Sequence, residues 1–163
     1  IGERPAFILD GAHNEDAALC LRETVLRYFP GRKLYFIMGV FRDKEYERIA
    51  EIMCPLAHAV YTVNLPDQNR GLPAEKLARA AAEYCADTEA FSESYQESLS
   101  EAFSSGGSAP GIFRAVETAL REAGPEDVIL AFGSLSYLQI VREEYERISG
   151  AARAEGEKRG DHR

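Results

Sequence analysis

The chain has 163 residues, of which 27 are acidic and 19 basic, giving a formal net charge of −8. That length holds one domain with a core of its own and is short for two. The acidic balance argues against a nucleic-acid footprint, which needs a basic face, and no apolar stretch approaches the about 20 residues that cross a bilayer.

In chain order, short apolar runs alternate with amphipathic stretches, the pattern of βαβ units. Ala6–Asp10 is the first expected strand. Asn14 caps the helix that follows, with Glu15 and Asp16 in its positively polarised first turn. Ala18, Leu21, Val25 and Tyr28 recur at helical spacing, and Pro30-Gly31 stops the run. Leu34–Val40 is apolar throughout, as a strand covered on both faces should be. Asp43 is expected to cap a helix that buries Tyr46, Ile49, Ala50 and Met53, with Cys54-Pro55 ending it.

His58–Leu65 reads as a third strand. Pro66–Gly71 is a loop, and Pro73 suits the first helical position before Leu77, Ala80, Ala81 and Tyr84. Thr88–Phe91 is a short strand. Tyr95–Phe103 has helical spacing, Ser104–Gly111 is a Ser/Gly loop, and Ile112–Ala123 is a further helix. Val128–Phe132 is the last strand. Gly133-Ser134 turns it into a helix with Leu138, Val141, Tyr145 and Ile148 in register. Ala151–Arg163 mixes charges with small residues, has no apolar period and reads as a solvated, disordered tail, so the folded domain is expected to span residues 1–150.

The chemistry gathers where strands end. Ile8-Leu9-Asp10-Gly11-Ala12-His13-Asn14 runs from apolar strand to helix cap, which puts a carboxylate and an imidazole at the carboxyl edge of a sheet, where open α/β folds bind ligands. Asp10 suits ribose hydroxyls or the neighbourhood of a cation. His13 suits a phosphate or carboxylate. The bland alternative is a turn in which Asp10 caps backbone. Ser134 and the backbone N–H groups around it suit an anion, or serve only as a cap. Arg42 and Lys44 follow the second strand and Arg70 the third. Each is either an anion ligand or a solvated loop residue.

His58 begins a strand at the opposite edge and reads as structural, and His162 lies in the tail. The cysteines Cys20, Cys54 and Cys85 lack any CxxC spacing and read as buried, reduced thiols of a cytosolic protein rather than a metal site. There is no GxxxxGK[ST] for a triphosphate, no GxGxxG after the first strand, no GxSxG and no HExxH.

In this order and spacing, ILDGAHN, GVFRDKEY, NRGLPAEKLA and ILAFGSLSYL resemble the carboxy-terminal domain of bacterial folylpolyglutamate synthase / dihydrofolate synthase, of the Mur ligase superfamily. The likeness covers most of residues 5–149. Two departures stand out: Glu15 occupies the place of a family proline, and Glu93–Gly111 is longer than the usual connection. The resemblance implies a three-layer α/β/α Rossmann-like fold with a mostly or wholly parallel sheet.

It also implies a reaction. ATP phosphorylates a folate or dihydropteroate carboxyl, and the amine of L-glutamate displaces the phosphate. By resemblance Asp10 contacts the nucleotide, with Asn14 beside it, and His13 is the catalytic residue. Ser134 and Tyr137 hold glutamate, with Arg70, Lys44 and Asp43 as further substrate contacts. ATP and Mg would sit mainly on an amino-terminal ATPase domain that this chain lacks, and the absence of an initiator methionine fits a piece of a longer protein. The chain alone should fold without turning over ATP. No metal site, nucleic acid or membrane is expected. The expected setting is a cytoplasmic monomer serving folate biosynthesis. The rival readings are another Mur-type amino-acid ligase and a non-catalytic, receiver-like α/β module.

Overall fold

Five strands, all parallel, form one sheet in the order β1-β5-β2-β3-β4. The computed structural model describes residues 4–93 and 109–160, with side chains described through Ala152. The elements in chain order are β1 (Ala6–Leu9), α1 (Glu15–Tyr28), β2 (Leu34–Met38), α2 (Tyr46–Met53), β3 (Ala59–Val63), α3 (Ala74–Ala82), β4 (Thr88–Phe91), α4 (Pro110–Glu122), β5 (Val128–Phe132) and α5 (Leu135–Gly160). The expected three-layer α/β/α arrangement is what the chain forms.

The period-2 alternation of strands splits the core in two. One face carries Phe36, Met38, Val60, Leu130 and Phe132 against α1, α2 and α3. The other carries Ile37, Tyr61, Val63, Ile129 and Ala131 against α4 and α5. β2, β3 and β5 are therefore buried along their whole length, which is why they read as unbroken apolar runs. Parallel pairing brings every strand's carboxyl end to one rim.

Several expectations need correcting. Asp43 does not cap α2. The N-cap is Glu45, without a side-chain hydrogen bond, because residues 41–44 form a turn closed by Lys44 N–H to the Phe41 carbonyl (3.2 Å), and Asp43 stays exposed. Pro73 is the N-cap of α3 rather than its first residue. The open N–H of Ala74 is taken by Oδ1 of Asn64 from the end of β3, at 2.8 Å. Tyr28 and Tyr84 are solvent-facing rather than core, and Phe29 packs where Tyr28 was expected.

Cys54 and Cys85 are buried free thiols, but Cys20 is exposed on α1. The helix expected over 95–103 and most of the 104–111 loop lie outside the described residues. α5 continues as helix to Gly160, past the point where apolar periodicity stops. Ala, Glu, Lys and Arg, all good helix formers, dominate that stretch.

Glu15, where the family pattern has proline, is the first residue of α1. Its carboxylate pairs with Arg48 of α2 at 2.9 Å. Among the described residues no helix is long and apolar enough to cross a membrane.

Candidate functional site

β1 and β5 are distant in sequence but adjacent in the sheet, with Leu9 opposite Ala131. Their carboxyl ends are sewn together beyond the strands. Asp10 N–H donates to the Ala131 carbonyl (2.9 Å) and Gly133 N–H to the Ala12 carbonyl (2.8 Å). Only glycine fits at 133: its φ is +110°, and a Cβ there would lie 2.5 Å from the Gly39 carbonyl oxygen of the neighbouring strand end.

Within the first loop, Oδ1 of Asp10 accepts from Ala12 N–H at 2.8 Å. This turn aims the following residues along the rim. Nδ1 of His13 lies 2.8 Å from the Gly11 carbonyl. A carbonyl only accepts, so Nδ1 carries the proton, which leaves Nε2 as the ring nitrogen free to meet a ligand. Asn14 caps α1 through Oδ1 to Ala17 N–H (2.9 Å), as expected.

In the second loop Ser134 is only 3% exposed. Its Oγ accepts from Ser136 N–H (3.2 Å) and lies 2.9 Å from Ser136 Oγ, so it opens α5 as a cap.

Two further loops meet across the rim. Phe41, after β2, forms an antiparallel bridge with Gly71, after β3. Arg42 N–H donates to the Arg70 carbonyl (2.8 Å), Leu72 N–H to Val40 (2.9 Å), and Arg42 Nε to the Gly71 carbonyl (2.8 Å).

Between the two joined loop pairs lies a cleft of about 360 Å³, lined by His13, Ser134, Leu135 and Ser136 on one side and Phe41, Lys44 and Arg70 on the other. Among the described residues neither Lys44 nor Arg70 is in an ion pair. The cleft thus offers two uncompensated cations, an imidazole and two hydroxyls. That combination fits an anion, best a carboxylate or phosphate met by charge-assisted hydrogen bonds.

Of the residues singled out from sequence, His13, Ser134, Lys44 and Arg70 come together here. Asp10 and Asn14 stand beside the cleft as turn and cap. Asp43 is outside it. Tyr137 is not a surface contact at all: it is 0% exposed, and its hydroxyl lies 2.6 Å from the Phe132 carbonyl and 3.0 Å from that of Ile37. Its place three residues before Ile140 and one before Leu138 on α5 puts it on the core face, and burial pushes its hydroxyl far above the ordinary phenol range.

Phe41, Leu135 and Ser136 line the cleft without having been singled out. For Ser136 a signal existed, since a second serine two residues into a Ser-capped helix shares its first turn. Phe41 and Leu135 carried none.

The description of the family model that matches residues 1–135 is Mur ligase, glutamate ligase domain. The dihydrofolate synthase/folylpolyglutamate synthase of Bacillus subtilis is 31% identical over 61 residues, 37% of this chain and 14% of the relative. The folylpolyglutamate synthase of Lacticaseibacillus casei is 33% identical over 73 residues, 45% of this chain and 17% of the relative. Matches to these curated relatives thus span less than a fifth of their length.

Among solved structures, E. coli FolC in complex with DHPP and ADP superposes with a TM-score of 0.69 at 22% identity, covering 94% of this chain and 30% of that one. Folylpolyglutamate synthase from Thermotoga maritima gives 0.62 at 24% identity, covering 86% and 28%. These likenesses bear out the fold, and the motif resemblance agrees with the family match. The chain belongs to the Mur ligase family, as a glutamate ligase domain.

Proposed function

We propose that this chain is the carboxy-terminal region of an ATP-dependent ligase that joins L-glutamate to a folate or dihydropteroate carboxyl. The observation that carries the reading is the cationic, hydroxyl-bearing cleft at the joined ends of β1 and β5, in a chain of this family. Relatives described as dihydrofolate and folylpolyglutamate synthases support the choice of acceptor.

In this reaction the acceptor carboxylate attacks the γ-phosphorus of ATP and ADP leaves. The glutamate amine then attacks the acyl carbon, phosphate leaves, and the amine sheds a proton. Lys44 and Arg70 neutralise carboxylates that would otherwise repel one another and the phosphate. Of the paired hydroxyls of Ser134 and Ser136, one donates to its neighbour and the other to the bound anion, and the free Nε2 of His13 takes the proton from the attacking amine. Asp10 keeps its second carboxylate oxygen for the nucleotide, and Asn14 holds the helix that follows.

Mg serves this chemistry by screening phosphate charge. Among the described residues no three His, Cys, Asp or Glu side chains converge as a metal site, and the cleft is lined by cations, which do not fit a metal ion. No step here runs through one, and on this reading Mg and the ATP phosphates belong to a separate ATPase region that docks on the rim. The protein works as a monomer in the cytoplasm, without nucleic-acid or membrane partners.

The test is glutamate-dependent ADP release by the intact ligase. Arg70→Ala and Ser134→Ala are expected to raise KM for L-glutamate about tenfold, the size of a lost charged hydrogen bond, with KM for ATP within about twofold. Unchanged glutamate kinetics in both variants would overturn the reading. The 163-residue chain alone should release no ADP.

A further inference from the structure

We infer that Phe41 is a positioning residue, whose ring holds the Arg70 guanidinium at the cleft. This deepens the proposed function and rests on it for the identity of the anion.

Arg70 sits in an exposed loop, where a long side chain would ordinarily sample many rotamers. Here it is anchored at three points. Its backbone N–H donates to Oδ1 of Asp67 (3.2 Å), and its carbonyl accepts from Arg42 N–H (2.8 Å). Its guanidinium lies 4.4 Å from the centre of the Phe41 ring. Phe41 is in turn fixed by its bridge to Gly71, where a Cβ would crowd the Asp67 carbonyl at 3.0 Å. Backbone and side chain are therefore both fixed before any ligand arrives, which is what lowers the cost of binding.

The other cation–ring pairs among the described residues differ. Arg32, Arg114 and Arg147 also reach the carboxylates of Glu126, Glu93 and Glu144, so their charge is already answered. Arg27 and Lys76 lie 5.6 and 5.8 Å from their rings. The Phe41–Arg70 pair is closer than any of these and is the one in the cleft, with no carboxylate on the arginine among the described residues. A ring holds a guanidinium without neutralising it, so the charge stays available to an anionic group of a substrate, a carboxylate or a phosphate.

Two measurements test this. In the intact ligase, Phe41→Leu is expected to raise one substrate KM about fivefold with kcat unchanged and Tm within about 2 °C, since a cation–ring contact contributes on that scale. A rise for L-glutamate identifies the carboxylate that the proposed function assigns to Arg70, whereas a rise for ATP would keep Phe41 as the holder of Arg70 and overturn that assignment. Phe41→Tyr should restore the wild-type value. In the Arg70→Ala background Phe41→Leu should do nothing further, because the ring acts only through the arginine. Additive effects, or parallel falls in kcat and Tm, would overturn the proposal.

The second measurement needs no ligase activity. In the 163-residue chain, NMR should find the Arg70 side-chain protons shifted upfield by the Phe41 ring, with the shift lost in Phe41→Leu and kept in Phe41→Tyr. Its absence in the wild type overturns the positioning role. An intact enzyme without glutamate-dependent turnover, beside a chain that shows the shift, would refute the ligase reading and leave Phe41 as the holder of Arg70.

Discussion

The two ends of the sheet use polar residues in opposite ways. Toward the amino ends of the strands, Tyr61 donates to Glu122 Oε2 at 2.6 Å, Tyr35 to the Glu122 carbonyl at 3.2 Å, and Asp127 accepts from Gly124 N–H at 2.7 Å. His58 packs its ring edge-on against Tyr35. These groups answer one another. At the carboxyl rim the loops are as well bonded along their backbones, yet Lys44 and Arg70 face a cleft with no counter-charge among the described residues. A site here is marked by charge left unmatched on a rigid frame, not by a high density of polar groups.

The frame depends on a few close backbone approaches, and one of them dominates. Among the described glycines, Gly133→Ala should have the largest effect. The residue has positive φ, and its new Cβ would meet backbone, which cannot swing aside. A loss of about 3 kcal/mol or more is expected in urea unfolding, with the cleft lost beside it. Gly31, also at positive φ, has nothing within 4 Å of the added Cβ. Gly31→Ala should cost about 1 kcal/mol, for backbone strain alone. Equal losses at the two positions would mean that the seam between β5 and β2 is not under steric control.

Tyr137→Phe separates frame from site. The hydroxyl is buried against two backbone carbonyls, and its removal should cost about 1–3 kcal/mol. Glutamate kinetics in the intact ligase should stay at wild-type values. A raised KM with unchanged stability would instead put Tyr137 in contact with substrate.

Much of this was legible in the chain. Unbroken apolar runs gave β2, β3 and β5. The alternation of strands with helices gave the parallel sheet, and parallel pairing alone sends His13, Lys44, Arg70 and Ser134 to one rim. Asn14 is the cap that its amide and the acidic turn after it indicate. The errors came from tertiary partners that local pattern does not record. Asp43 loses α2 because the turn at 41–44 displaces the helix start. The resemblance brings Tyr137 to the site beside Ser134, although Leu138 and Val141 mark its side of α5 as core. The Gly133–Ala12 seam needs β1 beside β5, and no local signal pairs the first strand with the last. The stacking of Phe41 on Arg70 joins two loops 29 residues apart and leaves no trace in either.

The smallest expected effect concerns the opposite end of the sheet and its response to alkali. Burial first, and then the Glu122 carboxylate, hold the Tyr61 hydroxyl protonated far above the ordinary phenol range. Burial also raises Tyr35, helped by the Asp127 carboxylate, holds Tyr137 far above that range and pushes the Cys54 thiol up to about 12. In the unfolded chain these groups lose protons at their ordinary values, 9.0 for the thiol and 10.0 for the phenols. Above those values the unfolded state binds fewer protons than the folded one, so stability falls as pH rises. The contribution is complete below about pH 9 and drains away above it.

Tyr61→Phe isolates one share of that loss. At pH 8 the variant lacks the hydrogen bond to Glu122 and should be less stable by about 1 kcal/mol. Between pH 10 and 11 the wild type gives up what Tyr61 contributes while phenylalanine has no proton to hold, so the gap should close. Urea midpoints at pH 8, 10 and 11 measure it. A gap that stays constant across that range would mean that Tyr61 titrates alike in both states, and that the amino end of the sheet is not the closed polar system its hydrogen bonds describe.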